Sequence, residues 1–97
     1  MKQIDIKMEL SIIIPAYLEA GNLQIILPPL KGVLNNLGIK HEVMVVDTID
    51  PMDNTMDVCV SNGVIYINRK DGNKYGDAVR TGIKYAKGEF ILFMDAD

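Results

Sequence analysis

The sequence predicts an α/β domain: a parallel sheet of about four strands, in the order 3-2-1-4, with helices on both faces. Three observations carry this prediction. Residues 10–14, 42–47, 64–68 and 90–94 are short apolar runs, mostly rich in β-branched residues, with the length of strands rather than helices. Longer stretches with apolar residues at helical spacing lie between them, and alternating strands and helices imply right-handed crossovers and a parallel sheet. The first, second and fourth runs lead into Pro15, Asp47 and Asp95-Ala96-Asp97, at the strand ends where an open parallel sheet binds ligands.

Taken in order, the first strand reads Leu-Ser-Ile-Ile-Ile and ends at Pro15, which has no N–H for a ladder. A loop, 16–21, leads to Asn22, a plausible N-cap. The helix that follows carries Leu23, Ile26, Leu27, Leu30, Val33, Leu34 and Leu37 on one face. Pro28 and Pro29 inside it predict a kink or two short pieces, and Gly38 stops it. The second strand, 42–47, ends in an aspartate and gives way to a loop, 48–53. Asp53 or Asn54 caps a short helix over 55–60, closed by the turn Ser61-Asn62-Gly63. The third strand, 64–68, precedes a polar loop, 69–73. A helix from about 74 to 87 places Tyr75, Val79, Ile83 and Ala86 on one stripe. Gly76 and Gly82 weaken that helix and mark close backbone approaches, and Gly88 ends it. The last strand, Phe90-Ile91-Leu92-Phe93-Met94, has the unbroken apolar character of a strand buried on both faces.

The chain is one domain, 1–97, with 1–7 a short N-terminal arm whose alternating charges and missing apolar stretch are unlike a signal peptide. A hydrophobic content of 48% and a mean hydropathy of +0.12 fill a core and exclude disorder. A net charge of −3 and a pI near 5.0 argue against a nucleic-acid partner. No apolar run approaches the ~20 residues a transmembrane helix needs. Cys59, the single cysteine, cannot form an internal disulfide; it fits a reducing compartment, so a cytoplasmic location is expected, and its apolar stripe makes it a small core residue. His41 has no companion ligand, so a transition-metal site is unsupported.

If the chain winds outward through strands two and three and returns to the far side of strand one, strand four lies beside strand one. Residues 15–19 and 95–97 then face each other across one crevice, and Asp47 lines its wall. Asp95 and Asp97 offer the oxygen donors that Mg²⁺ or Mn²⁺ prefer, with phosphates and water completing the shell. The plain alternative is two solvated aspartates at a strand end. Tyr17 can stack on a base, and Asp47 can accept from a base N–H. Lys74 opens a helix, where a cation opposes the dipole and an anionic ligand would relieve it. Each is separately as readily a packing, bracing or solvated residue; their shared placement at strand tips favours a ligand site. Neither Gly-x-Gly-x-x-Gly nor a Walker A loop is present, so a nucleotide would be held by loop side chains.

Four stretches also resemble a known family in the right order. Ser11-Ile12-Ile13-Ile14-Pro15-Ala16-Tyr17-Leu18-Glu19 resembles the opening S-I-I-I-P-A-Y-N-E of the inverting glycosyltransferase family 2. Val45-Val46-Asp47 is similar to its second-strand V-V-D, and the run from Lys74 to Gly82 to its G-K-G-G-A-V-R-T-G. The strand ending in Asp95-Ala96-Asp97 resembles its D-x-D strand. The resemblance implies the N-terminal half of a Rossmann-like GT-A fold binding a UDP- or GDP-linked sugar with Mg²⁺ or Mn²⁺. It implies that Pro15, Ala16, Tyr17 and Glu19 line base and ribose, and that Asp47 reads the base. Lys74 would lie near the nucleotide, Asp95 would approach ribose and metal, and Asp97 would ligate the metal. Two departures stand out: Leu18 replaces the asparagine after tyrosine, and residues 48–53 replace the usual D-G-S-x-D loop.

Family members continue well past D-x-D into an acceptor-binding half with the catalytic base, so this chain is expected to be incompetent alone and no catalytic residue is assigned. A rival reading is a non-catalytic, self-associating α/β binding domain. A phosphatase using Asp-x-Asp as a covalent nucleophile ranks lower, since it needs groups from later strands. An apolar fourth strand at the sheet edge predicts a homo-oligomer through that edge, unless the arm 1–7 covers it.

Overall fold

The computed structural model describes residues 7–97, so the expected arm falls, save Lys7, outside the described residues. Four strands, β1 (Leu10–Pro15), β2 (His41–Asp47), β3 (Ile65–Asn68) and β4 (Phe90–Phe93), form one parallel sheet in the order β3-β2-β1-β4. The connecting helices are α1 (Ala20–Leu37), α2 (Thr55–Ser61) and α3 (Tyr75–Tyr85). The expected sheet order and the pairing of the first and fourth strands are both present.

Strand alternation divides the core into two layers. Ile12 and Ile14 of β1 and Val43 and Val45 of β2 pack with Leu23, Leu27 and Leu34 of α1 and Val58 and Cys59 of α2. Ile13, Met44 and Val46 point the other way, onto Ala78 of α3. Cys59 is a fully buried core residue, as expected, and burial pushes its thiol up to about 12, with Asp47 adding to the shift.

Several local expectations are corrected. Asn22 is not the N-cap: α1 begins at Ala20 with Glu19 at the cap, and Asn22 Nδ2 donates to Glu19 Oε2 at 2.7 Å. Helix α1 is continuous rather than two pieces. Pro28 and Pro29 lie on its exposed side, where the carbonyls they leave unbonded can meet water. Only Leu23, Leu27 and Leu34 of its expected apolar face are fully buried, while Val33 and Leu37 are exposed.

The apolar stripe of α3 is only partly covered: Tyr75 and Ile83 are exposed, Val79 is half-buried and Ala86 packs on the second layer, while the helix's buried residues are Asp77, Ala78, Thr81 and Gly82. Small residues are required there, because a Cβ on Gly82 would lie 2.5 Å from the Ile13 side chain. Gly88 does not end α3, which stops at Tyr85. It lets the chain cross β1, since a Cβ would stand 2.5 Å from the Ser11 nitrogen. The crossing is fastened: Gly88 N–H donates to Ser11 Oγ at 2.8 Å, and the Ser11 hydroxyl donates to the buried Glu42 carboxylate at 2.5 Å. Lys87 N–H donates to the same oxygen at 2.7 Å. Strand β4 is not buried on both faces; Phe90, Ile91, Leu92 and Phe93 are 70%, 40%, 51% and 39% exposed at the sheet edge.

Candidate functional site

The connections leaving β1, β2 and β3, and the residues after β4, gather at the carboxyl ends of the strands, with the order reversal between β1 and β4. This is where an open parallel sheet offers a crevice. A cleft of about 290 Å³ lies there. Pro15, Tyr17 and Glu19 line it from the β1 side, and Asp95, Ala96 and Asp97 from the β4 side. Arg69, Asn73 and Tyr75, from the segment joining β3 to α3, complete it. Ala96 is buried while Asp95 and Asp97 are exposed, which anchors the motif and leaves both carboxylates in solvent.

Five of the expected residues, Pro15, Tyr17, Glu19, Asp95 and Asp97, thus share one cleft, and three lie behind it or beside it. Ala16 is buried, its N–H donating to the Val46 carbonyl at 2.9 Å. The Asp47 side chain is 1% exposed and does not line the cleft. Its Oδ2 accepts the Tyr66 hydroxyl at 2.7 Å, while Asn68 Nδ2 donates to the Tyr66 oxygen at 3.1 Å and to the Thr48 carbonyl at 2.8 Å. Burial and that bond to Asp47 push the Tyr66 phenol up to about 12, so it remains a donor. Lys74 is exposed and outside the lining; its backbone N–H donates to Asp77 Oδ2 at 3.0 Å and starts α3.

Arg69 falls in a segment that reads in the sequence as a polar loop, with little there to mark its role. Its side chain is 96% buried, being 4% exposed, and braces two loops. Nη1 donates to the carbonyls of Asn73 and Lys74 at 2.7 and 3.1 Å, and Nη2 to that of Ala16 at 2.5 Å. Asn73 Oδ1 in turn accepts the Ile49 N–H at 2.8 Å, which ties in the loop after β2. Burial lowers the Arg69 pKa, opposed by Asp47, Asp77 and Tyr17, and a guanidinium stays charged through such a shift. The only available signal was an arginine directly after a strand end, in register with no helical face. Among the described residues, Arg69 Nε is a buried side-chain donor without a partner.

The electrostatic arrangement is therefore a buried cation in the cleft wall and three carboxylates, Glu19, Asp95 and Asp97, around it. Among the described residues no three side chains of metal-ligating type are grouped closely enough to hold an ion by themselves. Two exposed aspartates fit a hard divalent cation whose remaining shell comes from ligand oxygens and water.

Residues 11–97 match the model of Glycosyl transferase family 2. The chain belongs to that family. It is 32% identical over 93 residues to the low-salt glycan biosynthesis hexosyltransferase Agl6 of Haloferax volcanii, covering 96% of this chain and 22% of that one. Mannosyl-3-phosphoglycerate synthase from Rubrobacter xylanophilus superposes with a TM-score of 0.82 at 23% identity, over 93% of this chain and 31% of that one. Glucosyl-3-phosphoglycerate synthase from Mycobacterium tuberculosis, solved in complex with Mn²⁺, UDP and phosphoglyceric acid, does so with a TM-score of 0.77 at 19% identity, over 92% and 33%. The fold of this family 2 chain is thus that of GT-A glycosyltransferases, and it spans about a fifth to a third of the length of these relatives. No helix among the described residues is long and apolar enough to cross a membrane.

Proposed function

We propose that this chain is the donor-nucleotide part of a hexosyltransferase-type enzyme that uses a UDP- or GDP-linked sugar. The observation that carries the reading is the meeting of Tyr17, Arg69, Asp95 and Asp97 in one cleft at the switch point of the sheet. Pro15, Tyr17 and Glu19 take the base and ribose side. Asp95 and Asp97 hold Mg²⁺ or Mn²⁺ together with the diphosphate oxygens. The metal, when bound, neutralises charge on the leaving nucleoside diphosphate. Arg69 keeps the β1 and β3 loops in place around the ligand, and Ala16, Asp47 and Lys74 support it through the frame of the strand tips. None of the cleft residues is assigned as the base that deprotonates an acceptor hydroxyl, so the reading concerns donor binding.

A second copy, pairing along the exposed β4 edge, is our reading of the oligomeric state. It is supported by four consecutive apolar residues with no charge or proline among them.

Calorimetric titration of UDP-glucose and GDP-mannose, each with and without Mn²⁺, tests the donor reading. Saturable binding that requires the metal, and is lost in Asp97→Ala, is the expected result. No binding of either up to millimolar concentration would leave the self-associating binding domain as the better reading.

A further inference from the structure

The cleft contains a second exposed aromatic residue that the sequence pattern assigned to a helix stripe. Tyr75 is the first residue of α3 and is 57% exposed, while Tyr17, after β1, is 50% exposed. The two belong to separate segments, yet both line the same 290 Å³ cleft. Neither contributes to either core layer. A half-exposed tyrosine adds little to the core and leaves an apolar ring face in water. Two such faces bordering one small cleft suit a flat ring placed against them. Asp95 and Asp97 line the same cleft, so it offers aromatic rings and carboxylates to one ligand.

We propose that Tyr75 is a wall of a base-stacking subsite whose other wall is Tyr17. The flat group is the base of the nucleoside diphosphate, so this inference rests on the donor reading above. Stacking on an aromatic face accepts any base, because every base has such a face. Tyr75 therefore contributes affinity for the nucleoside and does not choose between uracil and guanine.

The experiment compares the full chain with Tyr75→Ala and Tyr75→Phe, in the presence of Mn²⁺, against UDP, GDP and inorganic pyrophosphate. Tyr75→Ala is expected to weaken UDP and GDP by roughly 5- to 100-fold while pyrophosphate changes by less than about twofold. Tyr75→Phe, which keeps the ring, is expected to bind all three as the parent does. Unchanged nucleotide affinity in a folded Tyr75→Ala would overturn the proposal, and so would an equal loss for pyrophosphate, which has no base to stack. Loss in Tyr75→Phe to the level of Tyr75→Ala would also overturn it, since the hydroxyl and not the ring would then matter. Should the parent chain bind pyrophosphate but neither nucleotide, the donor reading itself fails, and this subsite with it.

Discussion

Leu18 has φ of +57°, in the left-handed region that β-carbon contacts disfavour by about 1–2 kcal/mol for an L-residue. Asparagine tolerates that conformation better, and asparagine is the residue that Leu18 replaces in the family pattern. Leu18 is exposed, so little packing is lost with it. Leu18→Asn should therefore stabilise the fold by about 1 kcal/mol, seen as a rise of about 4–8 °C in Tm for a domain of this size. A fall in Tm would show that the leucine side chain compensates its own backbone. Asp53 makes the opposite case. Its Oδ1 accepts the Thr55 N–H at 3.1 Å and the Thr55 hydroxyl at 2.6 Å, and its Oδ2 accepts the Ala20 N–H at 3.2 Å. One carboxylate thus holds the N-termini of α1 and α2 together. Burial would raise its pKa, but the bonds from Thr55 and Ala20 outweigh it, and the folded value lies below the ordinary 3.8. A depressed folded pKa means stability that is present above the unfolded value and lost as pH falls through the folded one. Asp53→Ala should cost about 1 kcal/mol near neutral pH. Its deficit should shrink below pH 3.8, where the parent loses the same bonds. A deficit constant down to pH 2 would contradict the assignment. The sequence allowed Asp53 as a cap for α2; its second bond, to the start of α1, joins residues 33 apart and has no local signature.

At the scale of elements, the strands are legible because each is a short, mostly apolar run between turn residues, and their order follows from the alternation with helices and the switch-point rule. What each helix buries was less so. The period of α3 selects Tyr75, Val79 and Ile83, yet Ala78 and Gly82 meet the sheet, because the helix approaches Ile13 too closely for large side chains. A larger residue there must displace a fully buried isoleucine. Gly82→Ala is expected to cost about 1–3 kcal/mol in chemical denaturation despite its better helix propensity. A stabilised mutant would mean that α3 stands further from β1 than described. The unbroken apolar run of β4 says that it is to be covered on both faces but not by what, and here its side chains meet solvent. Light scattering over a concentration series tests the proposed pairing of copies. The mass should exceed that of a monomer and rise with concentration, and Phe93→Lys, a charge on an apolar edge, should lower it. A monomer mass throughout, or no change in a folded Phe93→Lys, would remove this edge as the contact.

For the molecule as a whole, order β3-β2-β1-β4 brings together residues that are 80 apart in the chain, Tyr17 and Asp97, without any direct bond between them. That juxtaposition could be read from the strand–helix alternation and the switch-point rule. The roles of Arg69 and Tyr75 could not, because one acts through backbone carbonyls of distant loops and the other through a surface that only the folded cleft defines. The burial of Asp47 under Tyr66 was equally hidden, since it depends on a cross-strand neighbour in the register that pairs Val45 with Tyr66. We propose a metal-bound nucleoside diphosphate in the cleft between the ends of β1 and β4. Paramagnetic broadening of backbone amide signals by Mn²⁺, recorded with and without UDP or GDP, tests it most directly. Nucleotide-dependent broadening is expected to centre on Asp95 and Asp97, extend to Tyr17 and Glu19, and spare the opposite end of the sheet around Lys40 and Gly63. Broadening that ignores the nucleotide, or that centres on Asp50, Asp53 and Asp57 instead, would contradict it.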